Sequence, residues 1–408
     1  MYGRCHPGTL FANPDCAHER ADAVRERYRL ASAYGVLAPQ RPSAVSRLGG
    51  GVGSGAVASR LRQAVASSGW RGAPVRAFVT GVAGFIGSRL ATRLLADGHE
   101  VVGVDALTDY YDPAIKRARL TGVQSHSTFT FVEADLLADG WQDHLDGVEV
   151  VFHQAAQPGV RASWAEGFEG YAANNVLATQ RLLEAVRGRV SASASGDGTD
   201  GLTGAQRLRR LVYASSSSVY GDAMTFPTPE SVAPSPFSPY GVTKLAAEHL
   251  CGVYARNWGV PTVSLRYFTV YGGGQRPDMA LHRMIAAARG GPAFPLFGDG
   301  TQRRDFTHVD DIVAANLAAV DAEVAPGEVV NIAGGSEATV DELLELVSEV
   351  VGRPVPVDRQ PGQAGDVRRT GGETSKARRL LGWEPRVSLR DGVEEQVRHA
   401  ATGKGAPC

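Results

Sequence analysis

Cysteine is scarce in this chain of 408 residues, with four at Cys5, Cys16, Cys251 and Cys408. None forms a C-x-x-C pair or falls into a Cys/His ligand spacing, so neither a disulfide framework nor a zinc site is indicated and no metal is expected. An excess of charge of one sign is missing as well. Lys and Arg number 42 against 43 Asp and Glu, a formal net charge of −1, which excludes the basic surface of a general nucleic-acid or anionic-membrane binder. No apolar run approaches the roughly 18 residues of a membrane span, and no secretory hydrophobic segment follows the N-terminus. These absences lead to the expectation of a cytoplasmic protein with a small ligand, no nucleic-acid partner and no membrane. Hydrophobic residues, at 43%, are ample for a sizeable core, and the length allows two or three domains.

The organising stretch runs from Val75 to Leu90, where an apolar strand enters a glycine-rich turn and then a helix. Gly81 lets the chain turn, Gly84 lets backbone N–H groups approach a pyrophosphate, and Gly87 lets the next helix pack closely. That helix opens with Phe85 and Ile86, and its N-terminus faces the phosphates. Leu90 and Leu94 continue the apolar stripe, Gly98 ends the helix, and a second buried strand stops at Asp105. Strand, turn, helix and a following acid form a dinucleotide-binding βαβ unit. The Asp105 carboxylate would bind ribose hydroxyls and repel a 2′-phosphate, which selects NAD over NADP.

Other segments fall around this unit. Residues 1–73 are Arg-rich, then Gly- and Ser-rich, and read as a poorly structured extension with one helix-like piece near 21–33. Its acids, Asp15, Glu19, Asp22 and Glu26, argue against a transit peptide. A third strand ends at Asp135 and Leu136, where an acid can accept a hydrogen bond from adenine. A fourth runs into His153, and Ala155 and Ala156 after it would let a nicotinamide ribose lie on the backbone. His153 reads as a satisfied histidine at a strand end. Residues 189–206 are Ser/Gly/Asp-rich and read as a surface loop.

The chemistry centres on Ser216, after the fifth strand, and on Tyr240 and Lys244, four residues apart at the start of a long helix. That spacing puts both side chains on one face, one turn apart. A phenol is a poor base near neutral pH unless its ionised form is stabilised. The Lys244 ammonium, together with an oxidised nicotinamide, would lower the Tyr240 pKa, and Ser216 can share the proton path.

With these residues in place, positions 75 to about 395 resemble an extended short-chain dehydrogenase/reductase of the nucleotide-sugar epimerase and dehydratase group. Thr80-Gly-x-x-Gly-x-x-Gly87 matches the family's cofactor turn, and Ser216, Tyr240 and Lys244 match its catalytic residues. The resemblance implies a Rossmann-like doubly wound parallel sheet over residues 74–268, with a smaller C-terminal α/β substrate-binding domain over 269–400. It also implies NAD, a UDP-sugar substrate and a homodimer. Sugar dehydratases place Asp-Glu after the catalytic Ser/Thr, and decarboxylases a Glu at the second position; here Ser217 and Ser218 stand there. Reversible 4-epimerisation through a 4-keto sugar is the implied reaction, with dehydration or decarboxylation as rivals. A catalytically idle NAD(P) sensor is the reading from another class, and it would be expected to lose the catalytic residues kept here.

The second half resembles the signature of UDP-glucuronate 4-epimerases and related UDP-glucose 4-epimerases. Thr269 and Arg276 are the implied sugar contacts, with Gly273 replacing the family's proline and expected to loosen their turn. Leu296 and Phe297 lie in the segment implied to hold the uracil, Arg304 suits a diphosphate, and Asp366 is implied to close over ribose. A capping box from Thr339 to Glu342, and Ser375 capping a helix stopped by Gly382, are structural features.

Overall fold

The computed structural model describes residues 73–192 and 208–402. The expectations for residues 1–72 and for most of the 189–206 loop therefore lie outside the described residues. Residues Arg189 to Ala192, expected in that loop, instead continue the preceding helix. Val190 packs on the core there, which extends the apolar stripe of Leu182, Leu183 and Val186 by one more turn.

In chain order the strands are β1 (Arg76–Thr80), β2 (Glu100–Asp105), β3 (Phe129–Glu133), β4 (Val150–His153), β5 (Arg210–Ser216), β6 (Thr262–Tyr267), β7 (Thr269–Tyr271), β8 (Phe294–Phe297), β9 (Arg303–His308), β10 (Glu328–Ile332), β11 (Ser336–Thr339) and β12 (Val357–Gln360). The α-helices are α1 (Phe85–Ala96), α2 (Pro113–Gln124), α3 (Phe168–Tyr171), α4 (Ala178–Ala192), α5 (Pro239–Trp258), α6 (Ala280–Ala288), α7 (Val309–Asp321), α8 (Val340–Val351), α9 (Ser375–Leu381) and α10 (Leu389–Ala401). Seven strands form one sheet in the order β10-β6-β5-β4-β1-β2-β3, and every pairing in it is parallel.

Alternation along each strand feeds two apolar layers. In β1, Ala77 and Val79 join Leu90 and Leu94 of α1 and Ile312 of α7 on one face. Phe78 points the other way, among Leu182, Leu183 and Cys251 of α4 and α5. Helices on both faces make the sheet doubly wound, and its order reverses beside β1, where parallel sheets leave a crevice at their strand ends.

The chain crosses residue 268 into a smaller sheet, β11-β9-β7, and a pair, β12-β8. It also returns to the large sheet, contributing α7 and the edge strand β10, which pairs with β6. A third apolar cluster, including Phe294, Phe306, Leu343, Val347 and Val393, supports the smaller part. Thr339 caps α8 in a full capping box with Glu342. Ser375, expected as a cap, is the first residue of α9 and bonds Glu373 instead, while Gly382 at φ +62° ends that helix as expected.

Candidate active site

The glycine turn is shaped by contact distances. Gly81 has φ +69°, and a Cβ there would lie 2.8 Å from the Ala155 nitrogen. At Gly87 a Cβ would meet the Gly81 carbonyl oxygen at 2.1 Å, so it is the turn itself that requires glycine there. Gly84 precedes α1 and no side chain caps that helix, which leaves its first N–H groups for an anion. The Asp105 carboxylate accepts from the Ala83 N–H at 3.0 Å and the Leu107 N–H at 2.8 Å. It therefore braces the turn while keeping lone pairs for ribose hydroxyls. Asp135 accepts from the Leu137 N–H at 2.9 Å. These residues fit a dinucleotide: a cradle that any Cβ would fill, a free helix N-terminus and an acid at the ribose position.

His153 is fully buried, with Nδ1 2.8 Å from Thr80 Oγ1 and Nε2 2.9 Å from Thr179 Oγ1. Burial holds its pKa down to about 3, so it is neutral, and its role is structural, as the sequence suggested. Thr80 Oγ1 also accepts the Ala155 N–H at 3.1 Å, which fixes the wall of small residues.

A cleft of about 380 Å³ runs over the strand ends. Gly81, Gly84, Phe85, Ile86, Asp105, Asp135 and Leu136 line one part, followed by Ala155 and Ala156, then Ser216, Tyr240, Lys244, Thr269 and Arg276. Ser216 ends β5, and Tyr240 lies in the first turn of α5, whose cap, Ser238, accepts the Gly241 N–H at 3.1 Å. A Cβ at Gly241 would come within 2.5 Å of the Ser218 carbonyl oxygen. Glycine beside the tyrosine thus lets the helix start against the serine turn.

The Tyr240 phenol is buried, which raises its pKa, while a hydrogen bond with Ser216 and the charge of Arg276 pull it down. Lys244, expected to supply that potential, is not among the groups that shift the phenol in the free protein. Burial pushes its own pKa down to about 7, with Cys251 and Glu248 pulling it back up, and its Nζ lies 4.5 Å from the Tyr213 ring centroid. The Arg276 guanidinium, paired with Asp278, is the cation that lowers the Tyr240 pKa there.

Arg276 makes two 2.9 Å bonds to Asp278, through Nε and Nη2. Gly273 does not loosen the adjoining turn as expected. Its N–H donates to Glu395 Oε2 at 2.8 Å, a bond that proline could not make, and Gly272 N–H donates to Gln396 Oε1 at 3.1 Å. Two tyrosines also bear on this region. Tyr171 packs edge-on to Tyr240 with centroids 6.1 Å apart, and Tyr110 hydrogen-bonds Tyr171 beside Arg276. Tyr110 belongs to the Asp109-Tyr-Tyr-Asp112 run, which by resemblance leans toward the glucuronate branch; Tyr171 was not singled out from the sequence.

The remaining sequence candidates gather elsewhere. Arg304 Nη2 donates to Asp366 at 2.6 Å, Arg161 reaches the same carboxylate at 3.5 Å, and the Arg161 guanidinium lies 4.2 Å over the Phe297 ring. Arg161 was missed because no spacing marks it; it follows Ala155 and Ala156 on the loop that leaves the cleft. Leu296, at 1% exposure, packs its side chain into the C-terminal core, so its backbone is what is available to a ligand.

The family model for the NAD-dependent epimerase/dehydratase family matches residues 77–333. The chain is 40% identical over 332 residues to an uncharacterized UDP-glucose epimerase, YtcB, of Bacillus subtilis, covering 80% of this chain and 98% of that one. It is 34% identical to the UDP-glucuronate 4-epimerase of Thermodesulfobacterium geofontis, covering 78% and 94% of the two chains. The crystal structure of UDP-glucuronic acid 4-epimerase from Bacillus cereus, in complex with UDP-glucuronic acid and NAD, matches with a TM-score of 0.73 at 38% identity, over 80% of this chain and 99% of that one.

Proposed function

Because the chain belongs to the NAD-dependent epimerase/dehydratase family, we propose that it is an NAD-dependent 4-epimerase of a UDP-hexose, UDP-glucuronate or UDP-glucose. The observation that carries the reaction type is the composition of the cleft. Ser216, Tyr240 and Lys244 share it with the glycine turn, and among the described residues lining it the only acids are Asp105, at the end of β2, and Asp135, just past β3. Ser217 and Ser218 offer no carboxylate beside Tyr240, so loss of water or of carbon dioxide has no acid–base helper.

Bound NAD supplies a hydride acceptor and then a hydride donor, and is restored in each cycle. The protein's part is to hold and move the proton. Tyr240 takes the C4 hydroxyl proton, with Ser216 relaying through its hydrogen bond, and returns it after the 4-keto sugar has turned its other face. Gly81, Gly84, Phe85, Ile86, Gly87, Asp105, Asp135, Leu136, Ala155 and Ala156 would hold the cofactor, with Lys244 at its ribose. Phe297, Arg304 and Asp366 would take the uridine diphosphate end, joined by Arg161, while Thr269 and Arg276 face the hexose. Of the two sugars, the cleft favours glucuronate: Arg276 is held by Asp278 through Nε and Nη2, leaving Nη1 to meet a C6 carboxylate. Incubating the NAD-loaded protein with a panel of UDP-sugars and reading the products by NMR tests this. Formation of a 4,6-dehydrated or decarboxylated product would overturn it.

A homodimer is part of the same proposal. Leu177, Val242 and Val253 are exposed apolar residues on the neighbouring segments 172–192 and 239–258; Val242 and Val253 fall on one side of their helix, a surface that suits a second copy. Light scattering should report a dimer that Val242→Asp weakens; a monomeric wild type would refute it. No described helix is long and apolar enough to cross a membrane. The buried free thiol of Cys251 supports the cytoplasmic setting also proposed, which cell fractionation would test.

A further inference from the structure

The turn from Gly272 to Gly274 joins Thr269, at the head of β7, to Arg276. Gly272 and Gly274 have φ of +131° and +82°, and three successive glycines bring no side chains to hold the turn in place. Its position must come from its partners, and these grip it from two sides. From α10, Glu395 and Gln396 accept the Gly273 and Gly272 N–H groups, and Gln396 also donates to Gln275 at 2.8 Å. From the opposite side comes Arg119 of α2. Its Nη2 donates to the Gly274 carbonyl at 2.7 Å, and its Nη1 donates to the Tyr111 hydroxyl at 2.6 Å and the Ala83 carbonyl at 3.3 Å.

Ala83 lies inside the cofactor turn, between Gly81 and Gly84, and its N–H is one of the two that Asp105 accepts. One planar guanidinium therefore touches the backbone of both turns, and its rigid fork fixes the spacing between the two carbonyls it bonds. We infer that Arg119 is a positioning residue that registers the turn carrying Arg276 against the cofactor turn, coupling the sugar site to the dinucleotide site. The inference rests on the reading of Arg276 as a sugar contact. The coupling inferred here runs from Arg119 through Gly274 to Arg276, so it predicts that removing Arg119 has no further effect on sugar affinity once Arg276 is gone.

The experiment is a double-mutant cycle on the NAD-loaded full chain, reading UDP-glucuronate Kd by calorimetry for wild type, Arg119→Gln, Arg276→Ala and the double variant. UDP binding and Tm serve as controls. Arg119→Gln should weaken UDP-glucuronate about tenfold, within the usual range of site coupling, and leave UDP affinity unchanged. The double variant should bind no more weakly than Arg276→Ala alone. Wild-type affinity in Arg119→Gln, or a loss that adds in full to that of Arg276→Ala, would overturn the coupling while leaving the Arg276 reading intact. Unchanged affinity in Arg276→Ala would instead remove that reading, and this inference with it. Should Arg119→Gln fail to fold, Arg119→Lys keeps the charge but cannot span both carbonyls. It should show the same loss, and wild-type affinity there would overturn the inference.

Discussion

Arg276→Ala should act on the enzyme in two separable ways. The side chain is 18% exposed, with both of its bonds to Asp278 at 2.9 Å, so it is already ordered and largely desolvated before a sugar arrives. A charge-assisted bond in such a place is worth about 1.5–3 kcal/mol, or roughly 10- to 150-fold in kcat/KM, to a substrate with a C6 carboxylate and much less to a neutral hydroxymethyl. Truncation also leaves the Asp278 carboxylate unpaired near the same group, which adds to the loss for glucuronate. The second effect runs through Tyr240. Arg276 lowers the phenol's pKa against the burial that raises it, so without it the ionised form needs a higher pH. The rising limb of the kcat/KM profile, which reports the free enzyme, should therefore move upward for both sugars. Taking the ratio of kcat/KM for UDP-glucuronate and UDP-glucose at each pH cancels the shared shift and isolates the carboxylate term. An unchanged ratio would refute the carboxylate reading, and an unmoved limb would refute the electrostatic link to Tyr240.

Tyr240→Phe should lower turnover roughly 10²–10⁴-fold with NAD still bound, whereas Lys244→Met should weaken both; a Phe variant with near-normal turnover excludes the mechanism. The nucleotide released on denaturing the purified protein should be NAD, because Asp105 opposes a 2′-phosphate; recovery of NADP would contradict this. Glu395 offers a stability test. Burial pushes its pKa up, but His308, whose Nε2 lies 3.6 Å from Oε2, Arg89 and the Gly273 N–H outweigh it and hold it at about 2, below an ordinary 4.5. A lowered folded pKa stabilises fully above the unfolded value and is lost as pH falls from about 4.5 toward 2, with an upper bound of about 3 kcal/mol. Glu395→Gln should therefore cost about 1–3 kcal/mol in denaturant unfolding at neutral pH and far less near pH 2; an equal cost at both would count against the network.

The parts of this protein written in short-range spacing were legible without the fold. Gly81 answers to its positive φ, Gly84 and Gly87 to backbone clashes within a few residues, Asp105 follows at the end of the next strand, and Tyr240 and Lys244 share a face because a helix repeats every ~3.6 residues. Such constraints act along the chain, so the order of residues determines them. Tertiary structure alone decided what meets across the chain. Arg304 and Asp366, 62 positions apart, pair with an unsuspected Arg161, and Arg119 bonds Gly274 from 155 positions away. It also decided charge and exposure. The core took the Leu296 side chain, burial lowered the Lys244 pKa to about 7, and Arg276 came to bear on Tyr240. Gly273, which in sequence looked like a loosened turn, is tied to Glu395 by the N–H that proline lacks. Desolvation and contact depend on which distant elements pack together, and no local pattern of residues carries that information.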